Sequence, residues 1–468
     1  MSWLPHELRL LARAPVAAMA LGLLLLLTSL AVVSGSWEIA RQRDTTARLA
    51  VLQDDELAAL AAKPQIARDA GYAAYYTFHG TWDPPTSAAF MALGMRDSTP
   101  HVLRVRALAL QSQLHETEAF NPALALAGRF DVAFVLIYLA PLVLIALLHD
   151  LVSAEKRAGR LGTLVALPQA DHRLWMRRAA LRTVLAFACV WLPVLVGAVA
   201  NGMPAQAVAS AMGIIAAYLA FWAGLAVAVA CRGRSSAAHA TALMGSWVVL
   251  TLVLPTLAHA VLARAVPVQQ GVDMMLAQRQ AVHAAWDRPP GETMQAFFRS
   301  HPQWRHTAPL PAGFHWKWYY AFQQLGDESV AAQAAAYRDS LLARQRWTLR
   351  LGWVLPVVGA QAALHRLADT DLESQLAYQD AIAAFHGRLR AFYYPYLFGE
   401  LRFSKADFAA QPRFEPARKT MAVPASQLVG LALAALAALA VATRSCRRLD
   451  VFHRQRPASF DTAGRLSG

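Results

Sequence analysis

Four histidines, His283, His301, His306 and His315, fall within 33 residues of one another. Imidazoles at that density can hold a divalent metal. No carboxylate flanks them at ligand spacing, and the stretch is rich in Trp, Gly and Pro, so they read as histidines of a surface loop. Glu116 and Glu118 form an acidic pair that reads as a solvated face. Phe392, Tyr393, Tyr394, Tyr396 and Phe398, with Phe403 nearby, could line a substrate surface, but an interfacial belt or a core accounts for them better. Cys189, Cys231 and Cys446 stand at no metal-site spacing and indicate neither a zinc cluster nor a disulfide framework. There is no GxxxxGK[ST], HExxH, GxSxG or CxxC. The chain therefore has no ATP-binding loop of its own, no residue is expected to be catalytic, and no cofactor is expected in it.

Those residues must be positioned by a chain that is 56% hydrophobic and 16% charged over 468 residues. Soluble chains carry about 25% charged residues, so disorder, a coiled coil and an ordinary cytosolic enzyme are excluded. A spanning helix needs about 20 apolar residues, and six stretches qualify: 14–35, 130–149, 183–200, 207–230, 240–263 and 424–443. The apolar core of the first exceeds the 7–15 residues of a signal peptide, so it reads as an uncleaved anchor. The apolar run 351–364 is too short and contains Pro356. It reads as an interfacial or core helix. The expected fold is an all-α membrane protein with six transmembrane helices and a mainly helical, split extracytoplasmic domain built from 36–129 and 264–423.

Orientation follows from Lys and Arg in the short loops. An amphipathic helix over 1–13, the loop 150–182, the turn after the fourth span and the tail 444–468 fall on one side, and they hold 17 of the 44 Lys+Arg but only 6 of the 30 acids. That side reads as the cytoplasm, with both termini inside a bacterial inner membrane. The net charge of +14 is then topogenic, and nucleic acid is not an expected partner. The span interiors hold no Asp, Glu, Lys or Arg; Asp131 lies at the outer edge of the second and His259 toward the outer end of the fifth. An ion-coupled transporter usually carries intramembrane ionisable groups, so energy for any transport must come from elsewhere. In the outer part, 41–70, 327–350 and 369–392 read as helices, the latter two opening acidic and ending basic. Residues 79–87 and 300–316 read as loops, no strand alternation persists, and 457–468 reads as a disordered tail.

The most specific stretch is the second span with its sequel. Leu151, Ala154, Ala158, Leu161 and Leu164 share one face at spacings of three and four, which predicts a short amphipathic helix over 150–167, ended by Pro168. Glu155, Gly159, Gly162-Thr163-Leu164 and Pro168 follow in order. This pattern resembles permease subunits of type 2 ABC transporters, where an acid, Gly-Thr-Leu and a Leu-rich turn ending in Pro follow the second span. It is closest to a branch with large outer insertions after spans one and five, known mostly as a domain of unknown function. Pro356, Ala360–Leu364, Leu367, Asp369, Thr370 and Asp371 also resemble that branch, although Ala368-Asp369-Thr370-Asp371 stands where Gly-Thr-Asp is usual.

The resemblance implies that 150–167 is a coupling helix docked on a separate ABC ATPase subunit, which binds the ATP. Glu155 would pair with a basic residue of that ATPase, Arg157 and Arg160 would meet its acids, and Gly159 and Gly162 would allow close backbone approach. A second permease copy or a related permease would complete the pore, membrane lipid would surround it, and export is the family's usual direction. The alternative is a membrane-anchored assembly or scaffold protein whose outer domain binds a partner without transport. A membrane enzyme acting on lipid or cell-wall precursors has only the histidine loop to offer.

Overall fold

The computed structural model describes residues 3–114, 130–166, 172–268, 271–417 and 421–454. Ser2, Glu116, Glu118, Pro168 and the tail 457–468 lie outside the described residues. Six helices are long and apolar enough to cross a membrane: Pro15–Ala61, Val132–Arg157, His172–Ala200, Ala205–Ala230, Ser236–Ala265 and Ala425–Arg448, here spans 1 to 6. Apart from one short hairpin, the regular structure of the described residues is helical.

Prolines shape two of the spans. Pro141 lacks the N–H that would bond the carbonyl of Ile137, and its ring crowds that carbonyl. The backbone widens into a π turn over Val135–Leu139, and the buried Tyr218 hydroxyl donates to the Ile137 carbonyl at 3.0 Å. Span 5 repeats the device, with a π turn over Val249–Val253 ahead of Pro255. Span 4 is the centre of the bundle, contributing Tyr218 and Trp222, both fully buried. At Gly224 an added Cβ would stand 2.7 Å from the Ala438 carbonyl carbon, so spans 4 and 6 meet backbone to backbone.

That packing also corrects the reading of the cysteines. Cys231, at the end of span 4, is disulfide-bonded to Cys446, at the end of span 6, with a Cα–Cα distance of 5.2 Å. The two are 215 residues apart, and spacing along the chain carries no sign that two helices end side by side.

A head domain stands on the end of the bundle opposite the Arg-rich loops. Span 1 runs into it without a break: its helix has 47 residues, about 70 Å at 1.5 Å per residue. The other long members are Trp316–Leu351, which begins well before the expected 327 because His315 caps it through Nδ1, and Leu372–Leu397, capped by Asp371. Part of the expected loop 79–87 is instead a strand: β1, His79–Trp82, pairs antiparallel with β2, Val102–Val105, with His79 opposite Val105. Four-residue strands are too short to leave an alternation in sequence. Tyr393, Tyr394, Phe398 and Phe403 are buried in the head core with Phe297 and Tyr320, so the aromatic run is core.

Two pieces fasten head to bundle. The apolar run near 351 becomes the helix Pro356–Ala368, whose Val357, Ala360, Leu364 and Leu367 join the core of the spans. From the first outer segment, Phe90 is fully buried in the same core. It fits because span 1 and span 3 have no Cβ there: an added Cβ on Gly35 would lie 2.1 Å from the Phe90 carbonyl oxygen, and one on Gly197 would lie 2.7 Å from the Phe90 ring.

Candidate functional site

The segment after span 2 is not the single helix expected over 150–167. Span 2 stops its α-helix at Leu148, turns, and resumes over Ser153–Arg157. A second short helix, Leu161–Ala166, follows a break at Gly159, whose φ is +68°. That left-handed backbone favours glycine and ends helices, so Gly159 makes the bend between the two short helices. The expected apolar face survives in part: Leu151 and Leu161 are buried and Leu164 half-buried.

Glu155 also behaves differently from the expectation. Its carboxylate is mostly buried and occupied within the chain. Arg160 Nε donates to Oε2 at 2.8 Å and Arg178 Nη1 donates to Oε1 at 3.0 Å. Arg178 belongs to span 3, is itself buried, and donates from Nε to Glu7 Oε1 at 2.7 Å. Glu7 lies on the amphipathic helix Trp3–Arg13. One guanidinium thus ties three elements together: the N-terminal helix, the 153–157 segment and span 3. Two bonds to two carboxylates satisfy a buried cation that would otherwise be costly. Arg182, one turn further along span 3, donates to the Leu147 carbonyl and secures the end of span 2.

The remaining expected contacts face outward. Arg157, Gly159, Arg160, Gly162 and Thr163 are exposed, and a Cβ on Gly159 or Gly162 would meet nothing within 4 Å. The structure therefore joins Glu155 with Arg160, presents Arg157, Gly162 and Thr163 to solvent, and places Pro168 outside the described residues. Glu7, Arg178 and Arg182 escaped the sequence reading because charges near span ends count as topogenic whatever they touch. A signal existed: Arg178 and Arg182 follow Trp175 at three and seven residues, one helical face, and Trp175 is buried.

At the other end of the bundle a cavity of about 440 Å³ lies under the head, lined by Asp131, Tyr138, Gln345, Gln361, His365 and Asp371 among others. Asp131 caps span 2, accepting from Phe134 N at 2.8 Å and from Leu93 N at 2.9 Å. Thr370 closes the joint: its carbonyl accepts from Met95 N at 2.8 Å and its hydroxyl donates to Ala92 O at 2.9 Å. These bonds hold the head's two segments to each other directly above the membrane-spanning part.

The histidines do not converge. His283 and His306 are exposed, His301 stacks on Phe297 with ring centroids 4.6 Å apart, and His315 is a helix cap. Among the described residues no three His, Cys, Asp or Glu side chains gather as metal ligands.

Residues 273–417 match a family described as a domain of unknown function (DUF3526). The match takes in most of the head's second segment, including Pro356–Ala368 and the Thr370 joint. No curated protein and no solved structure matches the chain.

Proposed function

We propose that this chain is the membrane-spanning permease subunit of an ATP-driven ABC transporter, working as an exporter with a separate ATPase subunit and a second permease, identical or related. The observation that carries the reading is the Arg178 tie. A force applied to the exposed face of 153–164 passes through Glu155 and Arg178 into span 3, and through Glu7 into the N-terminal helix. A loop that only satisfied a charge rule would need no such tie. The absence of ionisable groups within the spans supports an outside energy source, and the missing P-loop puts ATP on a partner. Span 5, only 11% buried in its most apolar window against 61% for span 4, is free to face a second permease or lipid. In this reading the Arg-rich end is cytoplasmic, and the head, with its unknown-function segment, stands outside and hands over or gates the substrate.

The test is to purify the tagged chain from its own membrane in mild detergent and identify what accompanies it by mass spectrometry. An ABC ATPase at near-stoichiometric yield is the expected result. A stable complex without any ATPase would overturn the transporter reading in favour of a membrane-anchored scaffold.

A further inference from the structure

A second cavity, of about 590 Å³, opens at the Arg-rich end, between the 152–161 segment, the turn joining spans 4 and 5, and the end of span 6. Its charged lining is Lys156, Arg232, Arg234, Arg444 and Arg448, and no carboxylate lines it. All five side chains are exposed, and among the described residues none forms an ion pair. Topology rules account for arginines at this end of the molecule. They do not account for five cations from three chain segments converging on one concavity.

His239 adds an independent observation. It lines the same cavity and is 2% exposed. Its Nδ1 lies 3.2 Å from the carbonyl oxygen of His149, so Nδ1 carries the proton and donates. Nε2 has no hydrogen-bond partner among the described residues. A buried polar atom left in that state calls for a missing partner. Nε2 offers a lone pair when the ring is neutral and an N–H when it is charged, so it can meet a hydroxyl or an anionic oxygen.

We propose that this cavity binds a phosphate ester bearing hydroxyl groups, of the kind a glycerophosphate headgroup presents. The five cations would neutralise the phosphate, and His239 Nε2 would take the hydroxyl or the phosphate oxygen. The position at the ends of the spans is the depth of lipid headgroups, where basic pockets between helices hold anionic lipid. A soluble phosphate ester shares the chemistry. Because Lys156 and Leu161 line the cavity, its occupant would brace the segment that the Arg178 tie also holds. The proposal stands whether or not an ATPase docks there.

The test uses the full-length protein in detergent. Phosphatidylglycerol and phosphatidylcholine are titrated separately and retained lipid is read by native mass spectrometry. The wild type should retain phosphatidylglycerol and not phosphatidylcholine. The double variant Arg232→Gln/Arg444→Gln should weaken retention roughly tenfold or more, and His239→Phe several-fold. Arg447→Gln, also exposed but outside the cavity lining, should change nothing. Glycerol 3-phosphate is then added: displacement of the lipid assigns the site to the phosphate ester from either source, and failure to displace assigns it to membrane lipid. Equal retention by wild type and double variant would overturn the proposal, as would an Arg447→Gln loss as large as that of the double variant.

Discussion

Asp369 follows the helix Pro356–Ala368 in left-handed conformation, φ 56° and ψ 48°, where Ala368-Asp369-Thr370-Asp371 departs from the Gly-Thr-Asp of the resembled branch. A left-handed residue after a helix is usually glycine. Aspartate is tolerated because its short side chain bonds locally, and here it accepts from Ser374 Oγ at 2.6 Å. Asp369→Gly and Asp369→Ala both lose that carboxylate, but only alanine keeps a Cβ in the strained backbone. Asp369→Ala should therefore be less stable than Asp369→Gly by about 1 kcal/mol, measured by thermal unfolding of the purified variants in one detergent. Equal midpoints would mean that the joint relaxes out of the left-handed conformation.

Among the elements, the joint between head and bundle hangs on Phe90. Removing its ring leaves a void between span 1 and span 3, so Phe90→Ala should cost about 3–5 kcal/mol. Limited proteolysis should then cut the head at 83–100 while the spans stay protected. Within the head, His79 on β1 and His386 on Leu372–Leu397 are buried. Burial pushes the His79 imidazole down to about 4 and holds His386 well below its ordinary value. The unfolded chain takes up these protons near pH 6.5 and the folded head does not, so stability is full above about 6.5 and falls as pH drops toward 4. His79 alone accounts for on the order of 3 kcal/mol by pH 4. Chemical unfolding at pH 7 and at pH 4.5 should show a smaller loss in His79→Gln than in wild type; parallel losses would show that His79 protonates freely in the folded head. None of this was legible beforehand. The spans announce themselves because twenty apolar residues have few other fates, but a four-residue strand and a buried histidine leave no pattern in sequence.

For the whole molecule, what the sequence carried was the frame, six spans and a helical head in two pieces, and it singled out the segment after span 2 for its pattern. What it missed was who holds that segment. Glu155 looked like a contact for another protein because a carboxylate on a surface segment has no visible partner until span 3 is folded beside it. With Arg178 and Arg160 on it, substitution at Glu155 and substitution at the exposed face become different experiments. Glu155→Arg would set a third cation against Arg160 and the buried Arg178. Breaking a buried pair costs about 3–5 kcal/mol, so this variant should lower the unfolding midpoint or the yield of inserted protein by itself. Arg157→Glu and Gly162→Trp alter exposed positions, with open space around Gly162, and should leave insertion and midpoint unchanged while abolishing co-purification of the proposed ATPase. Retention of the ATPase by both exposed-face variants, at wild-type yield, would move the docking surface away from 153–164 even if an ATPase is the true partner. Loss of midpoint in those two variants would instead make the face part of this chain's own packing.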